Sequence, residues 1–458
     1  MYYWATWRLV VAGLVLGILA AHRGRVGAAT VDVAPVATAQ EGGSVAKVVQ
    51  EAIDASSAGD TIRFPPGVYR VATTIVFKSG RDYSGPGAIL KWTGSDGFVG
   101  RTENDRGKDM TIAGLTFEAA GFAFTGSGKV KASNIRIRNC SFANIAQKKY
   151  PFDTGIYIPI GATRCEFAGN HFRNVKGDNG FATWNLDHTR ITDNDFDGVN
   201  ECMHLNGTTA NCEVLRNRGV RIHRMGIEIQ GSGNADLVVE DNHFADWDSP
   251  FHDSFGLSIV PSSGPNISVR YNTVLARPPV PGNWTNRFGF GIELGGDVVC
   301  RDNLTEGYWW LGIVVGGKNT TVTHNVLRGP NSGEYTTPSR ISLEPGSEKA
   351  SDTIADNRQI VTASYIESPT GLMAKSDGTR VDLSWRIPGK RATGFKVQRR
   401  KPGGDYAAIA TLAGTSTSFR DAGRAPAEDC VYRIQAFNDA GDITYSPSLL
   451  VAAEKAIP

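Results

Sequence analysis

The stretch Gly226-Ile-Glu-Ile-Gln-Gly231 alternates apolar and polar side chains, and Leu237-Val-Val-Glu-Asp-Asn242 follows after a short connection. Alternation of this kind is typical of a β-strand with one buried face. Similar segments recur along the chain, and one segment of each repeat ends at an asparagine. These asparagines are Asn139, Asn170, Asn194, Asn217, Asn242, Asn272, Asn303, Asn325 and Asn357, at spacings of 22 to 32 residues. Repeats of this length with short strands and no helical period predict a parallel β-solenoid.

Asparagine suits the bends of such a solenoid, because its amide bonds nearby backbone groups and tolerates the left-handed conformation. Asparagines on stacked coils can also bond to one another as an amide ladder. The residues from Ser44 to Ala55 predict an amphipathic helix that covers the open N-terminal end of the solenoid. The apolar stripe of this helix consists of Val45, Val48, Val49, Ala52 and Ile53.

The composition agrees with this interpretation and excludes several classes of protein. Of the 458 residues, 41% are hydrophobic and 21% are charged, so a core can form. Glycine accounts for 53 residues, an excess that is typical of a turn-rich β-protein. The formal net charge of +2 offers no general attraction to nucleic acid or to anionic lipid. A collagen, a coiled coil and a multi-span membrane protein are excluded by the same composition.

The N-terminus has the pattern of a secretory signal. Arg8 precedes an apolar run from Leu9 to Ala21, and the small residues Gly27, Ala28 and Ala29 follow. We therefore predict a signal peptide over residues 1–29 and a secreted protein that is extracellular, periplasmic or on the cell surface. The apolar run is short for a membrane span, which needs about 20 residues. No membrane span is expected after the signal is cleaved.

With these repeats and the segment Gly59-Asp-Thr-Ile-Arg-Phe-Pro-Pro-Gly67, the chain resembles the pectate-lyase-like superfamily of right-handed parallel β-helices. The resemblance covers about Val31 to Glu367 and implies an all-β chain with a right-handed β-helix over residues 30–366. It leaves the reaction open, because this fold carries lyases, hydrolases, epimerases and inert adhesins.

The pattern changes at Glu367. Arg380-Val-Asp-Leu-Ser-Trp385 and Tyr432-Arg-Ile-Gln-Ala-Phe-Asn438 resemble a fibronectin type III domain, with Trp385 and Tyr432 at core positions of that family. Short alternating strands between turn residues predict a β-sandwich independently of the resemblance. We therefore predict a fibronectin type III domain over residues 367–458, acting as a spacer or a weak adhesion module.

Aligning each repeat on Gly226–Gly231 assigns side chains to the inside or the outside of the solenoid. Alternation puts Ile227 and Ile229 inside and Glu228 and Gln230 outside. The outward positions of the middle repeats form a polar strip, consisting of Thr183, Asn185, His204, Asn206, Glu228, Gln230, Ser258 and Glu293. Neighbouring loops contribute the charged or aromatic residues Asp178, Arg224, Asp253, Arg287 and Trp309. The resemblance implies that this sheet is the floor of a sugar-binding groove, so we predict that these residues bind a polysaccharide.

Glu228 and Glu293 are the predicted catalytic carboxylates. They lie two coils apart with Ser258 between them, and parallel strands stack about 4.8 Å apart, so their Cα atoms would be roughly 9.6 Å apart. Side-chain tilt would bring the carboxyls into the window of about 6.5–9.5 Å that an inverting glycosidase needs. His204, one coil before Glu228, would tune its proton affinity or bind substrate. The predicted function is hydrolysis of a polysaccharide by a monomer.

Two other functions stay open on the same residues. In β-elimination of a uronic-acid polymer, Arg224 and Arg287 would neutralise the substrate carboxylate and His204 would move protons. A non-catalytic surface protein would use the polar strip only to hold a glycan.

No cofactor is expected from the sequence, although calcium has to be considered. Asp193-Asn-Asp-Phe-Asp-Gly198 matches the first half of a calcium-binding loop. Position twelve of that loop is His204 instead of glutamate, and the segment coincides with a bend of the repeat. An acidic solenoid turn is therefore favoured over a calcium site.

Overall fold

The chain forms a long parallel β-structure followed by a small antiparallel one. A computed structural model describes residues 28–33, 45–126, 131–247, 254–260, 264–276, 288–307, 309–330, 337–343, 352–362, 365–377, 380–389, 391–423 and 428–453. Residues 1–27, which hold nearly all of the predicted signal peptide, lie outside these ranges, and the signal stays a prediction. Within these ranges, no helix has the length and apolar character needed to cross a membrane.

Three parallel sheets make up the first part, and the chain visits them in the order sheet 1, sheet 2, sheet 3 in each complete coil. Among the described residues, sheet 1 has eleven strands: Ile75–Phe77, Gly100–Thr102, Phe122–Ala123, Ile156–Ile158, Asn179–Trp184, Glu201–Asn206, Met225–Gln230, Phe255–Val260, Phe288–Leu294, Trp309–Val315 and Thr337–Leu343. Sheet 2, counted over the same ranges, has fifteen: Thr30–Asp32, Thr61–Arg63, Asp82–Ser84, Lys108–Ala113, Ala132–Arg138, Ala162–Thr163, Glu166–Ala168, Leu186–Asp187, Arg190–Thr192, Ala210–Leu215, Ala235–Glu240, Ile267–Arg270, Val298–Arg301, Thr321–Thr323 and Thr353–Ala355. Sheet 3 has twelve in the described part of the chain: Gly67–Val71, Ala88–Trp92, Thr116–Glu118, Ser141–Ala143, His171–Arg173, Asp195–Asp197, Arg218–Val220, His243–Ala245, Thr273–Ala276, Leu304–Gly307, Val326–Gly329 and Arg358–Val361.

Successive coils stack in register, so equivalent residues of neighbouring coils lie side by side. In sheet 1, Glu228 pairs with Ser258 and Ser258 pairs with Glu293. The alternate positions Ile227 and Ile229 are fully buried and join one core that runs along the coils. A single coil cannot bury its apolar face alone, so stacking is what stabilises the structure. The predicted right-handed parallel β-helix is confirmed.

A row of buried asparagine amides runs along the bend between sheets 2 and 3. It consists of Asn170, Asn194, Asn217, Asn242, Asn272, Asn303, Asn325 and Asn357. Each of the first seven amides donates to the side-chain oxygen of the next at 2.9–3.0 Å. The amide also donates to a backbone carbonyl, as Asn217 does to Ile191 at 2.9 Å. The predicted amide ladder is confirmed.

The start of the ladder and the position of the bend differ from the sequence prediction. Asn139 lies one residue before the ladder position, with a φ of 53°, and Cys140 takes the ladder position, donating its backbone N–H to Asn170. In later coils the left-handed conformation also falls on the residue before the ladder asparagine, such as Asp241 with a φ of 57°. The ladder residues are therefore selected for amide bonding and the residues before them for the bend.

Glycine lets neighbouring coils approach closely next to the outward strip of sheet 1. A Cβ atom at Gly226 would lie 2.3 Å from the carbonyl oxygen of Gly256, and one at Gly256 would lie 2.4 Å from the carbonyl oxygen of Gly291. Both distances are shorter than any non-bonded contact, so a side chain at either position would push the coils apart. The two glycines hold the strands of Glu228 and Ser258 in close register.

The predicted N-terminal helix spans Ala46–Ala55. Val49 and Ile53 are fully buried and join the core of the β-helix, together with Val45 just before the helix. Val48 is 40% exposed, so its prediction as part of the apolar stripe is wrong. The buried face is narrower than predicted because the helix meets only the end of the first coils.

Antiparallel strands begin after Arg358–Val361, the last parallel strand. Among the residues described, sheet 4 consists of Thr370–Ser376, Val381–Arg386 and Ser418–Asp421, and sheet 5 of Gly394–Arg400, Ala407–Ala413, Cys430–Phe437, Ile443–Tyr445 and Leu449–Val451. The two sheets enclose a second core that contains Trp385 and Tyr432. The predicted C-terminal β-sandwich is confirmed, and its predicted start at Glu367 falls between the last parallel and the first antiparallel strand.

Candidate functional site

Two carboxylates and an imidazole meet on the outer face of sheet 1, in its middle coils. His204 Nδ1 lies 3.3 Å from a carboxylate oxygen of Glu201 and 3.4 Å from one of Glu228. The side chain of Glu201 is 1% exposed and that of Glu228 is 6% exposed, whereas His204 is 24% exposed. Buried carboxylates are costly unless they are paired. The imidazole therefore serves as the shared partner of both, with one edge open to the groove.

Arg224 balances the charge of Glu201 from the other side. Its guanidinium forms an ion pair with Glu201, and its backbone carbonyl accepts a hydrogen bond from the indole of Trp247 at 3.0 Å. Arg224 was predicted to bind substrate, and the structure ties its charge to Glu201.

The environment shifts the proton affinities of the groups at this site. Burial, together with the charge of Glu201, raises the pKa of Glu228, although His204 and Arg224 oppose the shift. Burial and the charges of Glu201 and Asp153 raise the pKa of Asp178 to about 6. For His204, burial disfavours the charged form, but the hydrogen bond to Glu201 and the charge of Glu228 outweigh it and raise the pKa. All three groups therefore keep a proton to a higher pH than they ordinarily would.

Glu293 lies two coils after Glu228 in the same column of side chains. The hydroxyl of Ser258, which is itself buried, donates a hydrogen bond of 2.6 Å to Glu293. The amide of Gln230 donates to Glu228, and Asn206 lies 3.5 Å from the Nε2 atom of His204. Four of the predicted site residues therefore have a partner within the site. Glu293 bonds to Ser258, and Asn206 and Glu228 lie next to His204. Gln230 bonds to Glu228.

One coil of the predicted strip is out of register by one residue. Ala182 pairs with His204, and Trp184 pairs with Asn206, so these two residues occupy the outward positions. Thr183 is fully buried and faces the core. Asn185 lies beyond the strand with a φ of 52°. The predictions for Thr183 and Asn185 as members of the strip are wrong, because a shift of one residue exchanges the two faces of a strand.

Trp184, which the sequence analysis missed, extends the site toward the N-terminus. Its ring lies nearly parallel to that of His204, with centroids 6.4 Å apart, and meets Tyr157 edge-on at 5.9 Å. Both aromatic residues are partly exposed. The ring of Trp184 thus continues the face of the imidazole, and Tyr157 supports it from the side.

A second aromatic group lies near the start of the strands that carry Ser258 and Glu293 and of the strand in the coil after them. Phe290 packs against Phe255 at 5.6 Å and stacks on Trp310 at 5.5 Å, and all three are partly exposed. Trp309, which was predicted to form a wall of the groove, is fully buried against Trp247 at 5.1 Å. The prediction for Trp309 is wrong, because its side chain faces the interior and that of the next residue faces outward.

A cleft of about 430 Å³ opens beside the carboxylates, at the turns that lead from sheet 3 into sheet 1. Its lining includes Lys176, Asn200 and His223. Asn200 and His223 immediately precede Glu201 and Arg224 in the chain. The cleft is therefore lined by residues that immediately precede the acidic site in the chain.

Two predicted residues, Asp253 and Arg287, lie outside the described residues. Glu201, by contrast, was missed. Its signal in the sequence was a glutamate three residues before His204 at the start of a strand, but alternation alone does not bring the two side chains together.

Glu201, His204 and Glu228 are also the residues that could hold a cation. Their ligand atoms lie within 4.8 Å of one another. A protonated imidazole satisfies the same two carboxylates without a metal, so the donor set does not require one. The acidic segment Asp193–Gly198 is a solenoid turn, as predicted, because Asn194 belongs to the amide ladder and Asp195–Asp197 is a strand of sheet 3.

One family model and several solved structures are similar to the β-helical part of the chain. The family model described as right handed beta helix region matches residues 103–296. A structure of DFA-IIIase from Arthrobacter chlorophenolicus A6 without its lid is 14% identical over 74% of this chain and 99% of that chain, with a TM-score of 0.44. The A-module of mannuronan C-5 epimerase AlgE6 from Azotobacter vinelandii is 14% identical over 70% of this chain and 96% of that chain, with a TM-score of 0.39.

The C-terminal part has its own neighbours. An Fn3-like protein from Clostridium thermocellum is 34% identical over 21% of this chain and 100% of that chain, with a TM-score of 0.18. Among curated proteins there is no match. The sheet topology and the family-model match over residues 103–296 show a right-handed parallel β-helix, and the antiparallel sheets that follow it form a β-sandwich.

Proposed function

We propose that this protein is an enzyme that hydrolyses a polysaccharide in the groove on sheet 1. The observation that carries the proposal is the pair Glu228 and Glu293, which stand two coils apart on either side of Ser258. Their environments differ: Glu228 is buried and has a raised pKa, whereas Glu293 is partly exposed and accepts a hydrogen bond from Ser258. Such a difference suits one carboxyl to act as an acid and the other as a base.

The spacing of the two residues supports hydrolysis with inversion. Two steps of about 4.8 Å separate their Cα atoms by roughly 9.6 Å. An inverting glycosidase holds its carboxyls about 6.5–9.5 Å apart, so that a water molecule fits beside the sugar. In the proposed step, Glu228 gives its proton to the glycosidic oxygen as the bond from that oxygen to the anomeric carbon breaks. Glu293 takes a proton from the water molecule whose oxygen bonds to the anomeric carbon.

The surroundings of the pair support a polymeric sugar as the substrate. Partly exposed aromatic rings lie on both sides of it along the stack of coils, with Trp184 two coils before Glu228 and Trp310 one coil after Glu293. Aromatic faces offer flat apolar surfaces to sugar rings, while Asn206 and Gln230 offer amides to the hydroxyls. The signal peptide predicted over residues 1–29 would deliver such an enzyme to the outside of the cell.

The charge of the site favours hydrolysis over elimination. Elimination from a uronic acid needs cations that neutralise the substrate carboxylate. Arg224 is engaged by Glu201, and the central column holds Glu228 and Glu293. A uronate carboxylate placed there would be repelled by the carboxylate of Glu293.

A screen of purified polysaccharides tests the proposal. New reducing ends without the ultraviolet absorbance of an unsaturated uronate are expected for at least one polymer. Reducing ends together with that absorbance would replace hydrolysis by elimination. Binding of a glycan without either signal would identify a binding protein and overturn the enzymatic proposal.

A further inference from the structure

The C-terminal sandwich is joined to the β-helix by buried charges. The guanidinium of Arg400 is 2% exposed and lies 3.0 Å from a carboxylate oxygen of Glu240, and it also pairs with Asp241. The hydroxyl of Tyr406 donates a hydrogen bond of 2.8 Å to Asp241. Breaking a buried ion pair by removing one partner leaves an uncompensated charge, so these contacts hold the two parts firmly.

A second group of contacts lies one and two coils further on. The carboxylate of Asp405 accepts a hydrogen bond of 2.6 Å from Tyr271 and lies 2.7 Å from the guanidinium of Arg301. Arg270 donates to the backbone carbonyl of Gly403 at 2.7 Å. The loop that holds Asp405 therefore touches two successive coils at the same corner.

A third contact closes the interface at sheet 3. Arg328, which is fully buried, lies 3.0 Å from Glu306 in the β-helix and 2.8 Å from Asp442 in the sandwich. Tyr445 of the sandwich packs against the small apolar cluster of Leu275 and Leu304 on the β-helix. Charged and apolar contacts together therefore fix the sandwich against the coils that it covers.

The coils that are held in this way are those of the candidate site. The chain runs from Glu228 in sheet 1 to Glu240 at the end of the following strand of sheet 2. It runs in the same way from Ser258 to Arg270. In the next coil the strand after Glu293 ends at Arg301. Each of the three coils that carry Glu228, Ser258 and Glu293 therefore gives a residue to the interface.

We propose that the C-terminal sandwich positions the catalytic carboxylates by clamping these three coils. In a solenoid each coil contacts only its neighbours. The coil of Glu228 and the coil of Glu293 are not neighbours, because the coil of Ser258 lies between them. Without the sandwich, their spacing would depend on two successive contacts between coils. The sandwich contacts both coils and sets their separation directly. Arg400, Asp405 and Tyr406 are positioning residues in this scheme, which rests on the proposed function for its kinetic consequences.

Two substitutions in the full chain test the clamp with little risk to folding. Asp405→Asn removes the charge that faces Arg301 from a side chain that is 67% exposed, and Tyr406→Phe removes only the hydroxyl that reaches Asp241. The matched control is Asp382→Asn, which removes an exposed carboxylate that pairs with Arg420 at 2.6 Å within the sandwich. Asp405→Glu keeps the negative charge at this position and tests whether that charge maintains the exchange rates and the kcat of the native chain.

Hydrogen exchange of the intact chain gives the first readout and requires no substrate. Faster exchange is expected in the sheet 1 strands Met225–Gln230, Phe255–Val260 and Phe288–Leu294 for both variants, with no change for the control. Exchange that rises only in the strands under the sandwich, such as Ala235–Glu240 and Ile267–Arg270, would overturn the proposal.

Steady-state kinetics on the polymer found by the screen give the second readout. A misplacement of about 1 Å can cost about 100-fold in rate, so kcat should fall by about tenfold or more in Asp405→Asn while KM changes little. Asp405→Glu should recover most of kcat. An unchanged kcat in Asp405→Asn and Tyr406→Phe would refute the clamp. If the chain hydrolyses no polymer, the proposed function fails, and the exchange measurement alone decides whether the sandwich holds the three coils.

Discussion

The imidazole of His204 lies 3.4 Å from the carboxylate of Glu228, the residue beside it in the next coil, and 3.3 Å from that of Glu201. A single ring thus links two buried carboxylates at the centre of the groove. Because the proton on His204 stabilises both, the charge state of this ring controls the electrostatics of the whole site.

Replacing Glu228 or Glu293 by glutamine should remove catalysis and leave binding intact. Glutamine keeps the shape of the side chain but cannot donate or accept a proton at neutral pH. The loss of a positioned acid or base typically costs about 10²–10⁴-fold in rate. The rate of release of reducing ends measures the effect, and glycan affinity measured by calorimetry should stay within a factor of about two.

Glu213→Gln is the matched control for this experiment. Glu213 is an outward-facing glutamate of sheet 2 with 44% of its side chain exposed, paired with Arg190. Its removal should leave the rate unchanged. Full activity in both groove variants would show that the pair has been assigned wrongly and would direct attention to Asp178.

The stability of the chain should fall as the pH rises through the pKa of His204. Because this pKa is higher in the folded chain than in the unfolded one, the charged imidazole contributes its full stabilisation below the ordinary value of about 6.5. That contribution is lost as the pH rises through the higher folded value. As the pH rises from about 6.5 through the folded pKa of His204, the Tm of the native chain should therefore decrease more steeply than that of His204→Gln. Parallel curves for the two proteins would contradict the prediction.

Trp184→Ala should weaken glycan binding without affecting the acid and the base. The ring is a partly exposed surface beside His204, and its loss removes the proposed stacking surface on one side of the scissile bond. A decrease in affinity of about tenfold, or ~1.4 kcal/mol, is expected. Calorimetric titrations in a Glu228→Gln background measure it without turnover. Trp184→Phe keeps an aromatic face and should retain most of the affinity, and equal affinities for the alanine variant and its parent would argue against stacking.

Asn217→Ala should destabilise the β-helix by about 2–4 kcal/mol. The substitution removes the acceptor of two buried donors of Asn194, its backbone N–H and its side-chain amide, and each such unsatisfied group costs about 1–3 kcal/mol. Urea unfolding followed by circular dichroism measures the change. Asn319→Gly is the control, since this exposed asparagine has a φ of 58° that glycine adopts freely. A loss for Asn217→Ala no larger than for the control would mean that the ladder contributes little to stability.

The sequence by itself determined the repeat, the parallel stacking and the amide ladder. These features are periodic, and a periodic pattern of apolar residues and asparagines has one consistent three-dimensional solution, in which each coil covers the next. The alignment of Glu228, Ser258 and Glu293 in one column was also predictable. Their strands share the motif of glycine followed by alternating apolar residues, so the register was unambiguous.

Only the tertiary structure decided the register of the coil that contains Trp184. In Asn179-Gly-Phe-Ala-Thr-Trp184, both Ala182 and Thr183 are small enough to face either way, so the alternation does not assign a face. Packing resolves the choice, because Phe181 turns inward against Phe167 with ring centroids 4.8 Å apart. That contact places Trp184 on the outer face, where it reaches His204.

The tertiary structure alone also decided the approach of Glu201 to His204 and the docking of the sandwich. Both depend on residues that are adjacent only after the coils have stacked. Glu201 is oriented by Arg224, which belongs to the next coil. Arg400 pairs with Glu240, which lies 160 positions away in the sequence. The alternation of apolar and polar residues within a strand shows only which side chains lie on the same face of that strand. Ion pairs between coils and between domains depend on distances that are set only when the whole chain has packed.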